Sequence, residues 1–164
     1  MKNILVPLDG SKLAEEALPF AKELAAQISG TLYLVRVVPL TQQLTATTFA
    51  GVSGMEGVSA VDPAAIDQAI AQQVEEARLY LQEQADKLKA GGVSVKWGVR
   101  RGVAPDEIIQ CVQENQIDMV AISSHGRSGL GRLVFGSVSD KVIREVGVPV
   151  LIIKNRRQGA ARAV

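Results

Sequence analysis

Short apolar runs, each too brief for a helix, alternate along this chain with longer stretches of helical period. Residues 4–8 form the first run, and the turn signal Asp9-Gly10 closes it. Residues 32–38 form the second, apolar except for Arg36 and stopped by Pro39. Residues 118–123 hold another around Met119, Val120, Ala121 and Ile122, and residues 148–154 the last. Strands that read as almost unbroken apolar runs are strands covered on both faces, the condition of a parallel sheet joined by crossover helices. A more polar run over residues 93–99, with Val93, Val95 and Trp97 on one side, suits an edge of that sheet. Right-handed crossovers leave few topologies. The expectation is an α/β fold: a doubly wound five-stranded parallel sheet (Rossmann-like, strand order 3-2-1-4-5) with helices on both faces. In such sheets ligands sit beyond the carboxyl ends of the strands, where the winding reverses.

The helical stretches carry their own punctuation. Ser11 offers a cap, Glu15 and Glu16 place negative charge near the positive end, and Leu13, Ala17, Phe20, Ala21, Leu24 and Ile28 recur at helical spacing up to Ser29-Gly30. Pro19, which lacks the N–H for one backbone bond, predicts a bend rather than a break. Asp62-Pro63 opens a long helix ending at Gly91-Gly92, Arg100-Arg101-Gly102 predicts a turn, and Pro105-Asp106-Glu107 starts a helix reaching about Asn115. Ser137-Val138-Ser139-Asp140 has the Ser-x-x-acid form of a cap, opening a helix that runs to about Val146. Residues 41–61 have no sustained period and read as a mobile excursion, and residues 155–164, with Arg156, Arg157 and Arg162, as a disordered basic tail. One domain over residues 1–154 is expected.

Composition excludes several classes. With 18 Lys+Arg against 17 Asp+Glu, a net charge of +1, the 164-residue chain has no basic field calling for nucleic acid. One cysteine, Cys111, and one histidine, His125, cannot supply the three or four N/S ligands of a zinc site. No run of about 18 apolar residues suggests a membrane span, and the first apolar run is too short for a signal-peptide core, so a cytoplasmic protein without membrane contact is expected.

Unusual residues gather at two strand ends. Glycines are concentrated between Ser123 and Ser139, where a strand hands over to a helix, and such a loop lets backbone N–H groups approach an anion while the helix start adds its positive dipole end. The loop has neither the Walker A nor the Rossmann glycine spacing, and its glycines alone fit a plain surface loop as well as a phosphate cradle. Asp9 decides between them if the first and fourth strands are neighbours. A carboxylate repels phosphate, so its partner there is a ribose hydroxyl or Mg²⁺, and a nucleotide satisfies both ends.

These residues also carry a family resemblance. The opening Ile4-Leu5-Val6-Pro7-Leu8-Asp9-Gly10-Ser11, Leu34-Val35-Arg36-Val37-Val38, Gly102 before Pro105-Asp106-Glu107-Ile108, the segment from Ser123 to Val138, and Val148-Pro149-Val150-Leu151-Ile152-Ile153 together resemble the universal stress protein family. Its ATP-binding branch is similar in the signature Gly-x-x-Gly, nine residues, then Gly-Ser/Thr. Here Gly126, residues 127–135 and Gly136-Ser137 match, with Ser123 in place of the first glycine. The resemblance implies ATP, or AMP or ADP, with Mg²⁺ carried by the nucleotide. Asp9 then takes the ribose or the metal, Pro7 and Leu8 wall the base, Val37 offers its backbone to adenine, and Ile122 lines the same pocket. Gly126, Gly136, Ser137, Val138 and Ser139 hold the phosphates, and Arg127 is a further candidate for reaching them. The resemblance also implies a homodimer through the last strand, with Val148, Val150, Leu151 and Ile152 at an otherwise open apolar edge.

Each site residue has a plainer alternative. Asp9 suits a turn, Gly126 and Gly136 suit tight backbone geometry, and Ser137 suits a helix cap that can also face a phosphate. His125 has no orienting partner in the sequence, surface arginines such as Arg127 and Arg132 are commonly solvated, and Cys111 lies among Ile108, Ile109 and Val112 as a core residue. Three functions are expected to compete: a dimeric nucleotide-binding regulator or sensor in the stress response, a slow ATP hydrolase or phosphotransferase, and a stress-family scaffold that binds no nucleotide. No general base or kinase-like clamp stands out for the second.

Overall fold

The central strand of the sheet is β1 (Asn3–Pro7), because its side chains are apolar on both faces: Ile4 and Val6 enter one core layer, Leu5 enters the other, and all three are fully buried. The structure is a computed structural model and describes residues 2–40, 63–124 and 136–154. The expected excursion over residues 41–61, the glycine loop from His125 to Phe135 and the basic tail lie outside the described residues. After β1 come α1 (Lys12–Glu15), α2 (Ala17–Gln27), β2 (Thr31–Val38), α3 (Pro63–Ala90), β3 (Ser94–Arg101), α4 (Ala104–Glu114), β4 (Met119–Ser123), α5 (Ser137–Glu145) and β5 (Val150–Ile153).

The five strands lie in the order β3-β2-β1-β4-β5, all parallel. The chain winds outward from β1 through β2 to β3, then crosses back to β4 and β5, so the winding reverses between β1 and β4. One face of the sheet packs on α1, α2 and α3 through Ala14, Ala17, Ala21, Leu81 and Ala85. The other packs on α4 and α5 through Ile108, Cys111, Val112, Val142 and Val146. Covering both faces is what the apolar strand runs required. Among the described residues no helix is long and apolar enough to cross a membrane.

Several local expectations change. The first helix, expected to be continuous, is interrupted at Glu16 (φ −62°, ψ −18°). Pro19 thereby becomes the third residue of α2, a first-turn position at which an N–H has no helical acceptor to lose. Arg100 and Arg101 continue β3, where their carbonyls and amides serve the ladder, and only Gly102 leaves it. The cap of α5 is Gly136, not Ser137; Asp140 donates its N–H to the Gly136 carbonyl, and Ser139 Oγ donates to the same oxygen at 2.9 Å. The last strand begins at Val150, leaving Val148 before it. Ser11 does cap α1, its Oγ accepting the Ala14 N–H at 3.1 Å.

At the end of α2, Ser29 takes the left-handed conformation (φ +50°), and Gly30 N–H reaches back to the Ala25 carbonyl at 2.8 Å. Gly30 is required for closeness: a Cβ there would stand 2.6 Å from the Lys2 carbonyl oxygen, which also accepts the Thr31 N–H. Gly30→Ala is therefore expected to cost about 1–3 kcal/mol by overpacking. Urea unfolding checks this: the midpoint falls while the slope stays that of the parent chain.

Candidate functional site

Two neighbouring strands of unequal length open a gap at the reversal point. β1 ends with Pro7 paired to Val35, whereas β2 runs on to Val38. Past that pair, Leu8 N–H donates to the Val35 carbonyl (2.8 Å), and on the far side Gly102 N–H donates to the Val38 carbonyl (3.0 Å). Odd-numbered residues of β2 thus turn their backbone groups toward β1, even-numbered ones toward β3. Val37 is the first odd-numbered residue to look toward β1 after β1 has turned away. Its N–H and C=O form a donor–acceptor pair facing the gap.

The gap is the mouth of a cleft of 310 Å³, near the lower end of the 300–1,000 Å³ or so common for small-molecule sites. Pro7, Leu8 and Asp9 form its β1 side, Val35 and Val37 its β2 side, and Ile122 and Ser123 its β4 side. Ala104 and Ile108 close it from α4, while Gly136, Ser137, Val138 and Ser139 close it from the start of α5.

Asp9 is a turn residue and also stands at the cleft. Its Oδ1 accepts the Ser11 N–H at 2.8 Å, making it the turn residue that leads into α1, and it lines the cleft. Using one oxygen in the turn fixes the orientation of the carboxylate, as a grip on a ligand requires. Opposite, Gly136 N–H donates to the Ser124 carbonyl (3.4 Å), and Ser124 N–H to the Ile153 carbonyl (2.9 Å), so α5 starts from the end of the sheet. The first-turn amides of Ser137, Val138 and Ser139 have no acceptor inside the helix, and the helix dipole adds positive potential there. Gly136 has ordinary torsions (φ −58°, ψ 151°), and a Cβ on it would meet nothing closer than 3.6 Å. Neither its backbone nor packing among the described residues calls for a glycine at this position, which leaves its amide open to close approach from the cleft.

The α4 wall is braced from behind. Arg100 Nε donates to Glu107 Oε2 and Nη1 to Glu114 Oε2, both at 2.7 Å, and Lys141 Nζ donates to Asp106 Oδ1 at 2.6 Å between α5 and α4. Burial pushes the Cys111 thiol above its ordinary value, consistent with a packing residue and not a nucleophile. Among the described residues no group of three or more His, Cys, Asp or Glu could hold a metal ion.

The sequence pattern of the universal stress protein family matches residues 1–154. The chain belongs to this family. Universal stress protein Sll1388 of Synechocystis is 32% identical over 155 residues, which span 93% of this chain and 97% of that protein. The solved structure of MJ0577 from Methanocaldococcus jannaschii overlays with a TM-score of 0.76 at 24% identity, covering 95% of this chain and 97% of that one. A universal stress protein family protein from Arabidopsis thaliana, solved with AMP bound, overlays with a TM-score of 0.61 at 15% identity, covering 99% and 97%. These likenesses agree with the fold found here.

Of the residues singled out in the sequence, Pro7, Leu8, Asp9, Val37, Ile122, Ser123, Gly136, Ser137, Val138 and Ser139 meet around the one cleft. Gly126 and Arg127, with His125, lie outside the described residues. Ala14, Val35, Ala104 and Ile108 also line the cleft and were missed. Val35 was accessible from the two-residue period of β2, on which it shares a face with Val37. Ala104 and Ile108 carry no sequence signal beyond the helix start after Gly102.

The Arg100 brace has a pH signature. Hydrogen bonds to Glu114, from Arg100 first and Gln110 second, hold its carboxyl below the ordinary 4.5. A carboxyl lowered in the folded state contributes stability above its unfolded value and loses it as pH falls through the folded one. The thermal midpoint of the parent chain is expected to fall more steeply below about pH 5 than that of Glu114→Gln, measured by circular dichroism in matched buffers.

Proposed function

We propose that this family member binds an adenine nucleotide in the cleft and acts as a dimeric regulatory or sensor module of the stress response. The observation that carries the reading is the convergence of the Val37 backbone pair, the Asp9 carboxylate and the α5 first-turn amides on one cavity. A C=O beside an N–H matches the edge of adenine, which offers an amino donor beside a ring-nitrogen acceptor, and opposes guanine, whose edge has the reverse order. Asp9 accepts from a ribose hydroxyl or meets a nucleotide-borne Mg²⁺, which keeps several waters and asks for only one or two carboxylates. Amides of residues 137–139 receive phosphate oxygens. The AMP named for the Arabidopsis relative is consistent with this assignment.

Binding without rapid turnover is the reading favoured for this cleft, whose one acidic residue among the described residues is Asp9. At most, slow hydrolysis accompanies binding. Dimerisation is assigned to β5, which among the described residues pairs with β4 alone and leaves Leu151 more than a third exposed, with Val150 and Ile152 beside it and Val148 just before. We place the protein in the cytoplasm, with residues 1–154 as one domain. The alternative is a family scaffold without nucleotide. It is favoured by Ser123, whose buried side chain takes the place of the first signature glycine at the cleft.

A thermal-shift series separates the two. ATP or AMP at about 100 times its Kd is expected to stabilise the fold by about 2.7 kcal/mol, a rise of roughly 5–11 °C for this length. Gly136→Val, which no described residue opposes, and Asp9→Ala are expected to remove most of the rise. A midpoint that ignores ATP, ADP and AMP alike supports the scaffold.

A further inference from the structure

Behind the Asp9 turn, on the side of the sheet away from the cleft, an arginine is held in an unusual setting. Arg36 lies on the face of β2 shared by Leu32 and Leu34, the face covered by α1, α2 and α3. Its guanidinium is against Gly10: a Cβ built there would stand 3.2 Å from both Cζ and Nη1 and 3.3 Å from Nη2. Three nearly equal distances mean that the flat of the guanidinium, not its edge, meets the glycine. The same group lies over the Tyr80 ring of α3, 5.2 Å from its centroid. Among the described residues no carboxylate forms an ion pair with it, and its flat face is held by stacking between Gly10 and Tyr80.

Tyr80 is itself fixed. Its hydroxyl donates to Glu15 Oε1 at 3.2 Å, and Glu15 Oε2 accepts from Lys12 Nζ at 2.8 Å. Burial, then the nearby Glu15 carboxylate, raises the phenol well above the ordinary tyrosine value, so the donor is retained across the working pH range. The contacts close a circuit: the turn leads into α1, Glu15 of α1 holds Tyr80, Tyr80 carries Arg36, and Arg36 backs Gly10. Gly10 needs that backing. It sits at φ +85° between Asp9 and Ser11, it has no side chain to anchor it, and the Asp9 Oδ1 bond spans it to the Ser11 N–H.

We propose that Arg36, stacked on Tyr80, is the positioning residue for Asp9, keeping the Asp9-Gly10-Ser11 turn in the conformation that presents the carboxylate to the cleft. The proposal rests on the nucleotide reading only for what the carboxylate grips. It ties α3 to the cleft through side chains that do not line it.

The test uses the full chain and the variants Arg36→Met, Arg36→Lys, Tyr80→Leu, Asp9→Ala and Arg36→Met/Asp9→Ala. Calorimetry with AMP is expected to show about five- to tenfold weaker binding for Arg36→Met, a smaller loss for Tyr80→Leu, and no rescue by Arg36→Lys, whose ammonium has no flat face. In the Asp9→Ala background Arg36→Met is expected to add nothing, a coupling that general destabilisation does not produce. Additive losses overturn the proposal. A second readout needs no ligand: amide exchange at Gly10 and Ser11 is expected to speed up about tenfold in Arg36→Met or Tyr80→Leu relative to β1 amides of the same chain. Unchanged exchange at those two amides in both variants overturns the proposal whatever AMP does. Faster exchange in those variants, together with a parent chain that fails to bind AMP, upholds the turn support and rejects the nucleotide reading instead.

Discussion

The cleft depends on a mismatch in strand length. β1 gives up its pairing at Pro7↔Val35 and turns through Asp9 and Gly10, while β2 carries three more residues along the sheet. An amide and a carbonyl in a sheet interior normally find partners, because leaving them unpaired away from water costs about 1–3 kcal/mol each. At Val37 the neighbouring strand has gone, and among the described residues no backbone group takes its place, so a ligand in the cleft can supply the partners. The same departure of β1 brings Asp9 to the edge of the gap, and crossing to β4 at this point brings the start of α5 to the other edge. One topological event therefore supplies a hydrogen-bonding fork, an acid and a set of outward amides.

The rest of the architecture keeps that opening in shape. Both faces of β1 are buried to completion, so the strand that ends at the cleft cannot shift along its axis without disturbing two core layers. Behind the cleft, Arg36 and Tyr80 support the turn after β1, and Arg100 with Glu107 and Glu114 supports the α4 wall. The two arginines work differently. Arg36 acts by its flat face, Arg100 by paired charge, and only the second should respond to acid.

Much of this was legible in the residues. Apolar runs at 4–8, 119–122 and, but for Arg36, 32–38 read as strands buried on both faces, and with helices between them the doubly wound sheet follows. Asp9 and the Gly136 to Ser139 segment were legible because strand ends and helix starts are where backbone groups run out of partners. What sequence hid was of two kinds. Ser137 looked like a cap, yet Gly136 takes that place, since a capping pattern does not say which residue leaves helical torsions. Ala104, Ile108 and the Arg36–Tyr80 stack join residues distant in the chain, and nothing local marks them. The dipeptide Arg100-Arg101 read as a turn because it is charged, but at a sheet edge charged side chains have room on both faces.

The central claim is that the backbone at Val37 and the first-turn amides of α5 contact the same small molecule. Titrating isotope-labelled protein with AMP while following amide resonances tests it directly. The account predicts that Val37, Ser137, Val138 and Ser139 move together along one binding curve, and that Asp9→Ala weakens the curve without changing which amides respond. Resonances of Val37 and α5 that stay still while AMP binds elsewhere, or that move at separate concentrations, contradict it.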